Sequence, residues 1–104
     1  MEDSDQENKS SIRSEDRPIR KADYRLEQLD NELLLYHPSD TKILYLNQSA
    51  SLVWGLCDGE HSVAEIIDLL SQAYPEAAAS IPDDVHAALT EFLDSGCIEL
   101  RVSP

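Results

Sequence analysis

The side chains that could support metal or nucleophilic chemistry are few and widely separated. Histidine occurs at His37, His61 and His86, in a turn, before a helix cap and on a helix. That spacing does not supply the three or four convergent ligands that a zinc site needs. Cys57 lies on an apolar helical stripe and Cys97 follows a helix-ending glycine, with no CxxC pattern. Both are interpreted as buried structural thiols, because a reactive thiol needs an electropositive setting.

The other polar residues form no catalytic pattern. The three glycines do not make a phosphate-binding loop, and the 21 acidic residues are spread over positions expected to face solvent. The sequence therefore predicts no catalytic residues, no metal and no cofactor, and hence a protein that is not an enzyme. A small enzyme or metal protein is the less favoured interpretation.

Length and charge restrict the class of partner. The chain has 104 residues, enough for one small domain, and its 8 basic and 21 acidic residues give a net charge of −13. This charge opposes binding to the phosphates of nucleic acid or to anionic lipid. No run approaches the roughly 20 apolar residues of a membrane span, and residues 1–5 lack the features of a signal peptide. We expect a cytoplasmic protein with reduced thiols that binds neither nucleic acid nor membrane.

The elements that must position any site begin after a polar N-terminal segment. Apart from one proline, the apolar side chains of residues 1–22 are only Met1, Ile12, Ile19 and Ala22. Burial of so little apolar surface does not offset the entropy lost on ordering, which predicts a disordered charged arm over 1–22 and a domain over 23–104. The arm is either a solvated mixture of charges or a segment that pairs with the acidic domain or a partner.

Three short strands are predicted next, over residues 24–29, 33–36 and 42–46. The turn residues between them are Asp30-Asn31 and the sequence HPSD at 37–40. Such close spacing leaves no room for a crossover helix, so the strands should form an antiparallel meander.

Helical periodicity begins after this meander. Asn47 is a suitable N-cap for a first helix that ends near Gly59. Ser62 and Glu65 form the capping box of a second helix, which stops before Pro75.

A third helix is predicted from Ser80 to Gly96. Residues 97–102 after it are a candidate short final strand. Strands followed by helices indicate an α+β fold, here a small winged helix-turn-helix-like domain made of a three-stranded antiparallel meander and three helices. The predicted core is Leu26, Leu44, Leu46, Val53, Trp54, Ile66, Leu70, Val85, Leu89 and Phe92.

In DNA-binding winged helices, a recognition helix reads the bases. The third helix here carries Asp83, Asp84, Glu91 and Asp94 but no Lys or Arg, so phosphates would repel it. A winged-helix regulator that acts through DNA or a protein partner is therefore kept only as the alternative function.

Several short motifs resemble the PqqD-like family. They are YLNQSA at 45–50, LCDG at 56–59, SVAEI at 62–66, DV at 84–85, FL at 92–93 and Gly96, and the resemblance covers about residues 24–100. It implies a winged-helix peptide chaperone, or RiPP recognition element. Such a protein binds the leader of a ribosomally synthesised precursor peptide and presents it to a modifying enzyme. In the namesake case that partner is a radical SAM enzyme of pyrroloquinoline quinone (PQQ) biosynthesis, although other members serve other peptide systems.

For such a chaperone we predict a groove between the third strand and the third helix. The peptide would add an antiparallel strand along Ile43, Leu44 and Tyr45, because a sheet edge has unpaired backbone donors and acceptors. The same exposed edge makes either a monomer or a weak dimer reasonable.

The third helix would supply the other wall of the groove. Its periodicity predicts an apolar floor at Ala88 and Phe92 and an acidic rim at Asp84 and Glu91, suited to a leader with a Lys or Arg. Two alternatives stay open: Asp84 only stabilises the helix N-terminus, and Glu91 is only a solvated surface residue.

Overall fold

The computed structural model describes residues 12–101. Within these residues, five strands and three α-helices follow one another, with one short 3-10 helix between the last two α-helices. They are β1 (Arg17–Arg20), β2 (Arg25–Leu29), β3 (Glu32–Tyr36), β4 (Ile43–Leu46), α1 (Gln48–Leu56), α2 (Val63–Ala73), the 3-10 helix Pro75–Ala77, α3 (Ile81–Ser95) and β5 (Ile98–Arg101). Strands β2, β3 and β4 form the predicted antiparallel meander, so the α+β prediction is confirmed.

The meander turns one apolar face towards the helices. Leu35 of β3 lies opposite Leu26 of β2 and Leu44 of β4, and Leu33 lies opposite Leu46. Directly opposed residues of antiparallel strands project to the same face of the sheet. Leu35 and Leu46 are buried in the core. Leu26 is 39% exposed, so its predicted place in the core is wrong, because β2 is an edge strand whose five residues are all exposed.

The helix ends follow their sequence signals. The Asn47 side chain accepts a hydrogen bond from the amide of Ala50 at 2.8 Å at the start of α1. Ser62 and Glu65 make both bonds of the capping box of α2. Gly96 ends α3 with a φ of 79°, a left-handed conformation that glycine adopts without strain. These three boundaries are therefore confirmed.

The N-terminal segment differs most from its prediction. Residues 17–20, expected in a disordered arm that ends at residue 22, form β1 and pair antiparallel with β5. Pro18 is fully buried, and Asp16 is buried as well. The folded domain therefore begins before β1 rather than at residue 23. Residues 1–11 of the predicted arm lie outside the described residues.

Backbone hydrogen bonds account for much of the order in this segment. The amide of Val63 donates to the carbonyl of Asp16 at 2.9 Å. The amide of Ala64 donates to the carbonyl of Ser14 at 3.0 Å. The first amides of a helix have no partner within the helix, so residues 14–16 satisfy two open donors of α2. The number of apolar residues in a segment does not reveal such backbone hydrogen bonds. The domain boundary predicted from that number was therefore incorrect.

Arg20 binds the C-terminal end of α1. Its guanidinium donates to the carbonyl of Trp54 and to that of Gly55, each at 3.1 Å. The last carbonyls of a helix are unpaired and carry partial negative charge, which a cation stabilises. β1 thus contacts both the start of α2 and the end of α1.

One hydrophobic core joins the meander to the helices. The ring of Trp54 in α1 meets Phe92 of α3 edge-on at 5.3 Å and Tyr24, just before β2, at 6.2 Å. Most predicted core residues are buried, namely Leu46, Val53, Trp54, Ile66, Leu70, Val85, Leu89 and Phe92. The prediction omitted Leu35, Val63, Ile81 and Ile98, which are also buried.

Both cysteines are buried free thiols, which confirms their structural interpretation. Burial raises the pKa of Cys57 to about 12, although the nearby Arg20 lowers it and Asp58 raises it further. Burial also raises the pKa of Cys97. Because the thiolate is the nucleophilic form, neither thiol is activated at neutral pH.

The loop between α1 and α2 is held by Asp58. Burial alone would raise the pKa of this carboxyl group, but the amides of Glu60 and His61 and the imidazole of His61 hydrogen-bond it and lower its pKa to about 2. The Nδ1 of His61 lies 3.0 Å from Asp58 Oδ2.

This arrangement predicts acid-sensitive stability. The folded pKa of Asp58 is below its ordinary value of 3.8, so its contribution is complete above about pH 4 and is lost as the pH falls towards 2. As the pH is lowered from 6 to 2, the melting temperature of the parent should fall more steeply than that of Asp58→Asn. The exposed Asp94→Asn serves as control and should keep the parental slope. Equal slopes for the parent and Asp58→Asn would contradict this role.

Candidate functional site

The predicted binding strand, β4, is at one edge of the meander. It pairs with β3 on one side, and no other strand of residues 12–101 pairs with its second side. Ile43 and Tyr45 project to the outer face of the sheet and are 46% and 65% exposed. Leu44 projects to the inner face and is half-buried against the core. β4 therefore presents backbone donors and acceptors beside a partly apolar surface.

Lys42 and Glu91 both influence the buried thiol of Cys97. Burial raises the pKa of the Cys97 thiol, Lys42 lowers it and Glu91 raises it. Lys42 directly precedes β4, whereas Glu91 belongs to the later half of α3. Both charges therefore act on the buried thiol that follows α3.

The other end of β4 lies near the first half of α3. Gln48 and Ser49, at the start of α1, share a cavity with Asp84 and Val85 of α3. Gln48 comes two residues after Leu46, the last residue of β4. The chain that leaves β4 therefore meets the first turns of α3 at this cavity.

This cavity has a volume of about 220 Å³ and opens between α1, the end of α2, the 3-10 helix and α3. Its walls are mainly apolar, and two carboxylates, Glu76 and Asp84, line it as well. Ser80 Oγ lies 3.4 Å from Asp84 Oδ2. The cavity begins two residues after the end of β4, at Gln48.

The structure only partly supports the predicted helix wall. Ala88 is 6% exposed and Phe92 is fully buried against Trp54, so they form the centre of the apolar stripe and not an accessible groove floor. That part of the prediction is wrong, because Ala88 and Phe92 lie on the same buried stripe of α3 as Val85 and Leu89. Asp84 and Glu91 are both exposed, and of the two only Asp84 lines the cavity.

Sequence reasoning predicted Asp84 as a site residue but missed several other residues that build the cavity. Leu52 was not assigned to any site, and Tyr74 and Glu76 were passed over where α2 meets the 3-10 helix. One signal was available: Tyr74 is a large aromatic residue at the end of a helix, followed at once by proline. Its position beside α1 and α3 depends on tertiary packing and not on local pattern.

The arrangement suits recognition rather than chemistry. Within residues 12–101, no three His, Cys, Asp or Glu side chains are close enough together to hold a metal ion. The same residues include no helix long and apolar enough to cross a membrane. What the site offers is an open sheet edge, an apolar cavity and exposed carboxylates.

These features define a small α+β domain built around an open-edged sheet and three helices. The family model of coenzyme PQQ synthesis protein D (PqqD) matches residues 32–98. A PqqA binding protein of Methylococcus capsulatus is 31% identical over 72 residues, which cover 69% of this chain and 73% of the relative. One of Rhodopseudomonas palustris is 33% identical over 88 residues, covering 83% and 84%. The chain belongs to the PqqD family.

A solved structure has the same fold. It is the solution NMR structure of the PqqD truncation of Methylobacterium extorquens PqqCD, described as a stand-alone RiPP recognition element. The TM-score is 0.71 at 24% sequence identity, and the match covers 88% of this chain and 98% of the other. This similarity confirms the fold predicted from the family resemblance.

Proposed function

We propose that this protein is a non-catalytic adaptor that binds the leader of a PqqA-type precursor peptide and presents it to a modifying enzyme of the radical SAM type. The open edge of β4 is the observation that carries the proposal. The names of its relatives, PqqA binding proteins, support the choice of peptide. Ile43, Leu44 and Tyr45 would pair with the leader through their backbones.

The meander has two edges, and β4 is the better suited of the two. All five residues of β2 are exposed, so a strand added there would have little apolar surface beside it. In β4, Leu46 is buried and Leu44 is half-buried against the core. A peptide on β4 could therefore combine backbone hydrogen bonds with burial of its own apolar side chains.

Charge favours a cationic leader. The protein carries a net charge of −13, and α3 bears exposed carboxylates, of which Asp84 lines the cavity beyond the end of β4. Opposite charges accelerate encounter and fix orientation more than they add affinity. Repulsion between equally acidic copies favours a monomer, or at most a weak dimer, and two free buried thiols suit a cytoplasmic location.

Amide hydrogen exchange tests the binding mode. On addition of synthetic PqqA precursor peptide of Rhodopseudomonas palustris, the outward-facing amides of β4 should exchange at least tenfold more slowly. The amides of β2, the other edge of the same sheet, should keep their rates and serve as the internal control. Binding that protects β2 or leaves β4 unprotected would contradict strand addition at β4.

A further inference from the structure

The cavity beside the end of β4 has the size and lining of a side-chain pocket. It measures about 220 Å³, and an engineered apolar cavity of about 150 Å³ in another protein already binds benzene. Leu52, Leu70 and Val85 are among its apolar walls. One aromatic or branched aliphatic side chain would therefore fit, with the exposed Tyr74 ring at its side.

Its position relative to β4 determines which part of a peptide can reach it. A strand that pairs antiparallel with β4 runs from the Leu46 end towards the Ile43 end. Residues N-terminal to the paired segment therefore emerge near Gln48 and Ser49, which line the cavity. Since an extended chain advances about 3.3 Å per residue, a side chain a few residues upstream lies within reach.

We infer that this cavity binds one large apolar side chain of the leader, from the residues just N-terminal to the segment paired with β4. This inference rests on the proposed function and adds a second contact to it. The carboxylates of Glu76 and Asp84 would favour a Lys or Arg next to the anchoring residue. The cavity would thus fix the register of the leader, which backbone pairing alone leaves free to slip.

Filling the cavity provides the test. Ala77→Trp places an indole at its wall, and Ser49→Trp does so from an exposed position on α1, so a folding defect of one variant does not decide the result. Ala79→Trp is the matched control, because Ala79 is exposed in the same segment but does not line the cavity. Affinity for the synthetic Rhodopseudomonas palustris PqqA precursor is measured by calorimetry, and folding by thermal melts.

We expect the folded cavity variants to bind at least tenfold more weakly and Ala79→Trp to bind within twofold of the parent. When the precursor is shortened from its N-terminus, one residue at a time, its affinity for the parent should drop about tenfold at one particular residue. That drop should be absent for Ala77→Trp and Ser49→Trp, because their cavity is already filled.

The outcomes separate this inference from the function on which it rests. If the parent and the folded cavity variants bind equally well while β4 is protected from exchange, the cavity stays empty and only this inference falls. If the parent does not bind the precursor at all, the proposed function and the inference both fall.

Discussion

Trp54→Ala should lower the free energy of unfolding by about 3–5 kcal/mol, the cost of deleting a large buried aromatic side chain. Trp54 contacts Phe92 of α3 and Tyr24 before β2, so its removal separates the helices from the meander as well as leaving a cavity. A small domain has a total stability of about 5–15 kcal/mol, so much of it would be lost. Urea unfolding followed by circular dichroism measures the change.

Tyr45→Ala is the matched control for this substitution. Tyr45 is also aromatic but is 65% exposed, so its loss should change stability by no more than about 0.5 kcal/mol. A Trp54→Ala variant that melts cooperatively within a few degrees of the parent would contradict the central place of Trp54 in the core.

The parts of the fold that sequence predicts well are those fixed by neighbouring residues. Local sequence signals mark the helix boundaries, as the capping box of Ser62 and Glu65 and the left-handed Gly96 show. The meander follows from short apolar runs separated by turn residues. Even the edge position of β4 follows from chain order, because it is the last strand before the helices.

The strand β1 could not be predicted in the same way. Its partners on β5 are separated from it by most of the chain, and its amides and carbonyls contribute nothing to hydrophobic periodicity. Pro18 is the most buried residue of β1, although proline is usually taken as a sign of turns. Such long-range pairing depends on the arrangement of the whole domain.

The predicted helix wall of the site is wrong for a related reason, whereas the predicted pairing along β4 stays a prediction. Backbone pairing needs only an edge, so the assignment of Ile43, Leu44 and Tyr45 depends little on side-chain geometry. The margin and the centre of the apolar stripe of α3 differ by only a few tens of degrees around the helix. Helical periodicity therefore placed Ala88 at the margin of the apolar stripe, whereas packing against the core buries it.

Removal of β1 should have the other large effect. We compare a chain that starts at Ile12 with one that starts at Lys21, so that residues 12–20 are the only difference. The shorter chain loses the bonds to the first amides of α2, at about 1 kcal/mol each, and the burial of Pro18. It also loses the cation that Arg20 places at the end of α1. We expect its stability to fall by more than about 4 kcal/mol in urea unfolding.

Because β1 pairs with β5, its removal should also change the exchange rates of particular amides. Without β1, the amides of β5 that donate to it lose their partners and should exchange rapidly, together with the first amides of α2. A synthetic peptide of residues 12–20, added in excess, should restore protection at these same positions, because it supplies the missing strand in trans. If the chain from Lys21 unfolds at the same urea concentration as the chain from Ile12, then β1 adds nothing to stability. In that case the boundary at residue 23 would describe the stable domain better than the strand pairing does.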